Sequence, residues 1–114
     1  MHEGETTMTK YVFVYTGGTT PETEPDANAV MAAWGVWYEK MGVAVVDGGS
    51  PFTPAPKHVA SDGSFKDGAV GVLATGYTIV NADSMDEALG HAKGCPVLDS
   101  GGQVTVYEAI DMGM

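Results

Sequence analysis

The residues best suited to acid–base chemistry are a carboxylate and a histidine near the middle of the chain. Asp47 ends an apolar segment and precedes Gly48 and Gly49, which allow an unusual turn and close approach of backbone to a ligand. Asp47 could act as a general base or anchor a substrate. His58, which follows in the same polar segment, could shuttle a proton to or from Asp47. The alternatives are a turn carboxylate that caps its own loop amides and an exposed histidine without a catalytic role.

Four other residues are candidates for contacting a small, partly apolar ligand. The first strand would supply a hydroxyl group, and the segment after Asp47 would form the cleft. These candidates are Tyr15, Trp34, Ser50 and Phe52. Trp34 belongs with Trp37 and Tyr38 to an aromatic group whose ordinary role is core packing. The alternative role for this group is the wall of a small-molecule pocket.

The sequence offers no pattern for a metal or a cofactor. Its three histidines are dispersed, and its glycine-rich stretches lack the spacing and the lysine of a phosphate-binding loop. Cys95 is the only cysteine, so no disulfide can form within the chain. It follows the end of a predicted helix, whose negative dipole end would raise the thiol pKa and disfavour a nucleophilic role.

The charge distribution excludes several classes of partner. The chain has five lysines, no arginine and fifteen carboxylates, which give a formal net charge of −10. Phosphate binding needs clustered cations, and here the lysines are scattered, so nucleic acid and anionic membranes are poor partners. The first residues do not form a secretory signal, and together with the single cysteine they favour the cytoplasm.

The 114 residues suffice for one small domain. We expect a disordered tail over residues 1–8 and a single domain over 9–112, with a loop insertion at about 48–69. Apolar periodicity and turn residues predict four strands and two helices within it. The strands are 10–16, 43–46, 76–80 and 103–109, and the helices are 26–41 and 84–93, the second opened by a Ser-x-x-Glu capping box.

This order of elements predicts an α+β fold of the ferredoxin-like, split βαβ type, with an antiparallel four-stranded sheet and both helices on one face. The strands are apolar on both faces, whereas two helices can cover only one. The second face is expected to pack on another copy of the chain, giving a homodimer that encloses a barrel-like space. The alternative is that the 48–69 insertion folds over it.

Several segments resemble the YCII-related family. They are Met-Ala-Ala-Trp-Gly at 31–35, Val-Asp-Gly-Gly-Ser-Pro-Phe at 46–52, Thr-Gly-Tyr-Thr-Ile-Val-Asn-Ala-Asp-Ser at 75–84 and Ala-Lys-Gly-Cys-Pro at 92–96. The resemblance implies a dimeric α+β barrel and, in some members, an Asp–His pair in a cleft or association with sigma factors. The acid would correspond to Asp47, but residues 26–41, where the family histidine lies, contain none.

The leading functional hypothesis is a homodimer that binds a small, partly apolar molecule in a cleft and carries out cofactor-free acid–base chemistry. Asp47 would act as base or anchor, Ser50 and His58 would assist, and Tyr15 would supply a hydroxyl. The alternative is a non-catalytic ligand-binding module or a regulatory module that works beside a transcription factor. A cofactor-independent monooxygenase or isomerase follows from fold analogy alone.

Overall fold

The computed structural model describes residues 8–19 and 22–113. The expected tail, residues 1–8, lies outside these ranges except for Met8. The helices are α1 (Glu24–Met41) and α2 (Met85–Ala92), with 3₁₀ turns at Gly42–Ala44 and Pro96–Ser100. The strands are β1 (Thr9–Thr16), β2 (Val45–Asp47), β3 (Lys57–Val59), β4 (Phe65–Asp67), β5 (Ala74–Ala82) and β6 (Gln103–Glu108).

Four of the strands form one antiparallel sheet in the order β2-β5-β1-β6, and β3 and β4 pair separately. The long central strands β1 and β5 are in register over most of their length, with Phe13 opposite Thr78 and Tyr11 opposite Val80. The molecule is therefore an α+β protein with two helices and a four-stranded antiparallel sheet. This architecture confirms the predicted fold class and is consistent with a ferredoxin-like fold.

The core lies between one sheet face and the helices. Along β1, the aromatic residues Tyr11, Phe13 and Tyr15 are buried, and the valines between them are only partly so. Phe13 is fully buried and stacks on Trp37 of α1, with ring centroids 6.1 Å apart. Because side chains alternate along a strand, the aromatic stripe fixes which face of the sheet the helices cover.

Both helices begin with a side-chain cap. The Thr23 hydroxyl accepts a hydrogen bond from the Asp26 amide at 3.2 Å, so α1 begins two residues earlier than the apolar periodicity predicted. At α2, the predicted capping residue Ser84 accepts from the Glu87 amide at 3.1 Å. Gly42 ends α1 at a positive φ of 54°, a conformation that favours glycine.

The second strand differs from its prediction. Strand β2 covers Val45–Asp47, and Val43, which was placed in the strand, lies in a 3₁₀ turn and is fully exposed. The turn carries the chain from the end of α1 to the sheet edge, so strand pairing starts later than the apolar run. The predicted start of this strand at residue 43 was therefore wrong.

The segment at 48–69, expected as a loop insertion, contains a short hairpin. Strands β3 and β4 place Val59 directly opposite Phe65, and the turn between them is closed by a hydrogen bond from the Gly63 amide to the Ala60 carbonyl at 2.9 Å. Val59 and Phe65 remain 70% and 71% exposed. The hairpin therefore does not bury its apolar side chains on the sheet.

The sheet face turned away from the helices is largely apolar, and its apolar side chains are half-buried except for Tyr107, which is 57% exposed. Val14 lies opposite Tyr77 and Val12 opposite Tyr107, and Ile79 is the neighbour of Val12 on the other side. The smallest extent of the molecule is 19 Å, which accommodates one sheet and one helix layer. We call this surface, formed by Val12, Val14, Tyr77, Ile79 and Tyr107, the open sheet face.

Across the described ranges, the helices are too short or too polar to cross a membrane.

Replacement of the fully buried Phe13 by alanine tests the position of the core. We expect Phe13→Ala to lower the free energy of unfolding by about 3–5 kcal/mol, because it removes an aromatic ring and leaves a cavity. Urea denaturation followed by circular dichroism measures this change. Val43→Ala, at a fully exposed apolar position, is the control and should change stability by no more than about 0.5 kcal/mol. Similar losses in both variants would contradict this assignment.

Candidate functional site

A buried chain of hydroxyl groups connects the first helix, the central strands and the loop after β2. Tyr15 donates to Thr78 Oγ1 at 2.6 Å, and Thr78 donates in turn to the Gly48 carbonyl at 3.0 Å. The Tyr38 hydroxyl donates to the same carbonyl at 2.9 Å. Thr78 is completely buried, so these bonds replace contacts with water that the hydroxyls would otherwise make.

The loop after β2 is held tightly along the edge of β5. Gly49 has a φ of +79°, and a Cβ at this position would overlap the carbonyl oxygen of Tyr77. The following residues continue the pairing, since the Phe52 amide donates to the Thr75 carbonyl at 2.8 Å. Glycine at 49 is thus needed both for its backbone conformation and for the close approach of the two segments.

A cavity of about 360 Å³ lies where this loop meets α1, and we call it the binding pocket. Its aromatic wall consists of Tyr15, Trp34 and Tyr38, with Trp34 packed edge-on against Tyr15 at 5.3 Å between ring centroids. Val30, Met31 and Pro51 are among its apolar lining residues, and Ser50 contributes a hydroxyl. Among the described residues, none that line the pocket is charged.

A wider depression of about 1010 Å³ adjoins the pocket, and we call it the outer groove. It shares Val30, Trp34, Thr75 and Val97 with the pocket. The groove runs between α1 and the 96–100 turn, and its described lining includes carboxylates but no lysine. The carboxylates are Glu22, Asp26 and Asp99.

Three of the predicted ligand-contacting residues line the binding pocket together. They are Tyr15, Trp34 and Ser50. Phe52 lies instead in the outer groove, where it is 46% exposed and stacks on Tyr77 at 5.7 Å between ring centroids. Of the predicted aromatic group, Tyr38 faces the pocket, whereas Trp37 is buried in the core.

Asp47 makes two hydrogen bonds away from the aromatic wall. Its Oδ1 accepts from the Gly49 amide at 2.8 Å, which is the turn-capping role considered for it. Its Oδ2 accepts from the Tyr77 hydroxyl at 3.0 Å. Tyr77 is paired with Val14 on the open sheet face, whereas the Tyr15 hydroxyl lies on the helix side of the sheet. Asp47 is not among the described residues that line the pocket.

His58 lies on the β3–β4 hairpin. Its Nδ1 is 2.9 Å from the Gly68 carbonyl, a contact within the same excursion of the chain. Among the described residues, no hydrogen bond joins His58 to Asp47, and His58 lines neither the pocket nor the groove. The structure therefore does not bring the predicted acid–base pair together in the pocket. The described ranges also hold no cluster of three or more side chains suited to a metal ion.

Three groups near the site have raised pKa values. Burial raises the pKa of the Tyr15 hydroxyl well above its usual range, although the bond to Thr78 acts in the opposite direction. Burial also raises the pKa of Cys95 to about 11. The predicted direction for Cys95 was correct, but desolvation is the main cause. The hydrogen bond to Asp47 raises the pKa of Tyr77.

Two contributors to the site do not follow from the sequence patterns. Thr78 lies within a predicted strand but is the centre of the hydroxyl chain, and Tyr77 is the hydrogen-bond partner of Asp47. A threonine between apolar neighbours on the buried side of a predicted strand is a usable signal, because a buried hydroxyl requires partners. The partners themselves come from residues far away in the sequence.

No family model matches the sequence, and no curated protein matches it.

The raised pKa of Cys95 predicts a loss of stability at alkaline pH. Folding keeps this thiol protonated up to about pH 11, whereas in the unfolded chain it ionises near 9.0. Between these values the unfolded state binds fewer protons, so the free energy of unfolding falls as pH rises. Urea denaturation at pH 8 and pH 10.5 should show this fall, and Cys95→Ala should show a smaller one. Equal falls in both proteins would mean that Cys95 does not contribute.

Proposed function

We propose that the protein binds a small, partly apolar, uncharged molecule in the binding pocket as a non-catalytic ligand-binding module. The observation that carries this proposal is the cavity of about 360 Å³ with Tyr15, Trp34 and Tyr38 on its wall. Its volume lies in the range of ordinary ligand sites, and aromatic walls with a few hydroxyl groups are typical of them. Ser50 would provide a hydrogen bond that orients the ligand. The Tyr15 and Tyr38 hydroxyl oxygens would act as acceptors, because their protons are already donated to Thr78 and Gly48.

The charges around the pocket define the class of ligand. A carboxylate or phosphate group would have no cationic partner among the described lining residues, and the adjoining groove adds the charges of Asp26 and Asp99. The chain as a whole carries a formal charge of −10, which also opposes the approach of anions. A cationic group would also lose its water in the pocket without a charged partner, because no described lining residue of the pocket is charged. We therefore propose an uncharged ligand with an apolar body and one or two polar groups.

The same proposal includes a homodimer, with two open sheet faces packed together as in the dimeric α+β barrel of the YCII-related proteins that the sequence resembles. The support is physical. The open sheet face carries Val12, Val14, Ile79 and two tyrosines, and neither helix nor the hairpin covers it. Contiguous apolar surface of this kind marks an interaction site. Such a protein would act in the cytoplasm. If the module is regulatory, it would work beside a transcription factor.

A second candidate function is cofactor-free acid–base chemistry. One observation favours it: the Tyr77 hydroxyl and the Asp47 carboxylate are joined at 3.0 Å on the open side of the sheet. In this scheme Asp47 would accept a proton from a substrate held on the open side of the sheet. Asp47→Asn separates the two functions, because it would abolish a reaction of this type but leave binding in the pocket intact.

Two probes of similar size, one uncharged and one anionic, test the class of ligand. We expect 2-naphthalenemethanol to bind at least about tenfold more tightly than 2-naphthoate, measured by isothermal titration calorimetry. Met31→Lys, at an exposed pocket residue, should improve binding of the anion, whereas Val36→Lys on the same helix outside the pocket should not. Failure of both probes to bind, or equal effects of the two lysines, would contradict the proposed pocket.

A charge on the open sheet face tests the homodimer. We expect the protein to sediment as a dimer at micromolar concentration and Val14→Asp to sediment as a folded monomer, because the carboxylate would be desolvated in the interface. Val43→Asp, at a fully exposed position away from this face, should remain dimeric. Circular dichroism establishes that each variant is folded. A monomeric parent protein would overturn the dimer.

A further inference from the structure

The hydroxyl chain has a fixed direction because it ends on a carbonyl group. The Gly48 carbonyl oxygen lies 3.0 Å from Thr78 Oγ1 and 2.9 Å from the Tyr38 hydroxyl, and a carbonyl oxygen can only accept. Thr78 and Tyr38 therefore both donate their single protons to it. Since Thr78 has no second proton, Tyr15 must be the donor in the 2.6 Å bond between Tyr15 and Thr78.

All three hydroxyl protons are thus committed within the protein, whereas some of the oxygen lone pairs are not. The Gly48 carbonyl already accepts two hydrogen bonds, which is its full capacity. A tyrosine oxygen that donates its proton can still accept one. The Tyr38 oxygen is 3.5 Å from Thr78 Oγ1, which is longer than an ordinary O–H···O bond, so Thr78 does not occupy that capacity.

The Tyr38 oxygen is the acceptor that a ligand can reach. Tyr38 and Gly48 both line the binding pocket, so the hydroxyl group that joins them lies at the edge of the cavity. Tyr38 is half-buried, whereas Tyr15 is only 5% exposed. We call the part of the pocket formed by Tyr15, Tyr38 and Gly48 the acceptor corner.

The other polar groups of the pocket have less power to discriminate between ligands. Ser50 and Thr75 line it, and their hydroxyl groups can turn either to donate or to accept. Trp34 adds an N–H donor on the wall that the pocket shares with the outer groove. The acceptor corner is therefore where the pocket distinguishes a donor from an acceptor.

We infer that the ligand carries an O–H or N–H group that donates to the Tyr38 oxygen at the acceptor corner. This inference rests on the ligand-binding function proposed above and narrows the class of ligand. An alcohol, a phenol or an N–H compound fits, whereas a ketone, an ether or an ester does not. The oxygen of a ketone placed at this corner would face the lone pairs of Tyr38 without a proton between them, and it would lose its hydrogen bonds to water.

An alcohol and the corresponding ketone test the inference. The probes 1-(2-naphthyl)ethanol and 2-acetylnaphthalene have the same carbon and oxygen skeleton, but only the alcohol has a donor. We expect isothermal titration calorimetry to show that the alcohol binds at least about fivefold more tightly than the ketone, because only the alcohol can bond at the acceptor corner.

Tyr38→Phe keeps the aromatic ring and removes the accepting oxygen. In this variant, the ratio of the two dissociation constants should fall to about twofold or less. Tyr11→Phe is the control, since it removes a hydroxyl from a buried tyrosine of β1 that is not among the described lining residues, and it should leave the ratio unchanged. A third probe without oxygen, 2-ethylnaphthalene, should bind similarly to all three proteins, which would show that the pocket forms in each.

Equal affinities for the alcohol and the ketone in a parent protein that binds 2-ethylnaphthalene would overturn the donor inference alone. The same ratio in Tyr38→Phe as in the parent would overturn the assignment to Tyr38. No binding of any of the three probes to the parent would overturn the proposed function as well, so the failures are distinguishable. The ratio measured in the parent needs no variant, and it tests the inference whether or not Tyr38→Phe folds.

Discussion

The hydroxyl of Thr78 is the contact on which the rest of the candidate site depends. It accepts a hydrogen bond from Tyr15 and donates one to the Gly48 carbonyl, which also accepts from Tyr38. Thr78 is completely buried, and leaving a buried hydrogen-bonding group unsatisfied costs about 1–3 kcal/mol. The helix, the central strands and the loop are therefore held in one arrangement before any ligand arrives. Binding in the proposed pocket would not have to order these walls, which favours affinity.

Two apolar surfaces of the single chain keep contact with solvent. One sheet and two helices form two layers, so one sheet face lies outside the core, and the hairpin keeps Val59 and Phe65 exposed. In the proposed dimer, a second copy would cover the open sheet face. The stability of each subunit would then depend on protein concentration.

The arrangement around Asp47 favours binding over acid–base catalysis. One carboxylate oxygen holds the Gly49 amide and the other receives the Tyr77 hydroxyl, so the group already serves to shape the loop. Its predicted acid–base partner, His58, instead contacts the Gly68 carbonyl through Nδ1. The pocket wall contains the Tyr15 hydroxyl, whose pKa is raised well above its usual range by burial. This group therefore stays protonated and acts as a hydrogen-bond donor, not as a base.

The sequence by itself determined the fold class, the two helices and the central strands, because these follow from local periodicity and capping at residues such as Ser84. It also identified Tyr15, Trp34 and Ser50, which are three of the residues that line the pocket. Only the tertiary structure decided that Asp47 and Tyr15 lie on different sides of the sheet and that Thr78 meets Gly48. Local patterns show the face of each residue within its own element, whereas strand register and loop path decide which distant residues meet.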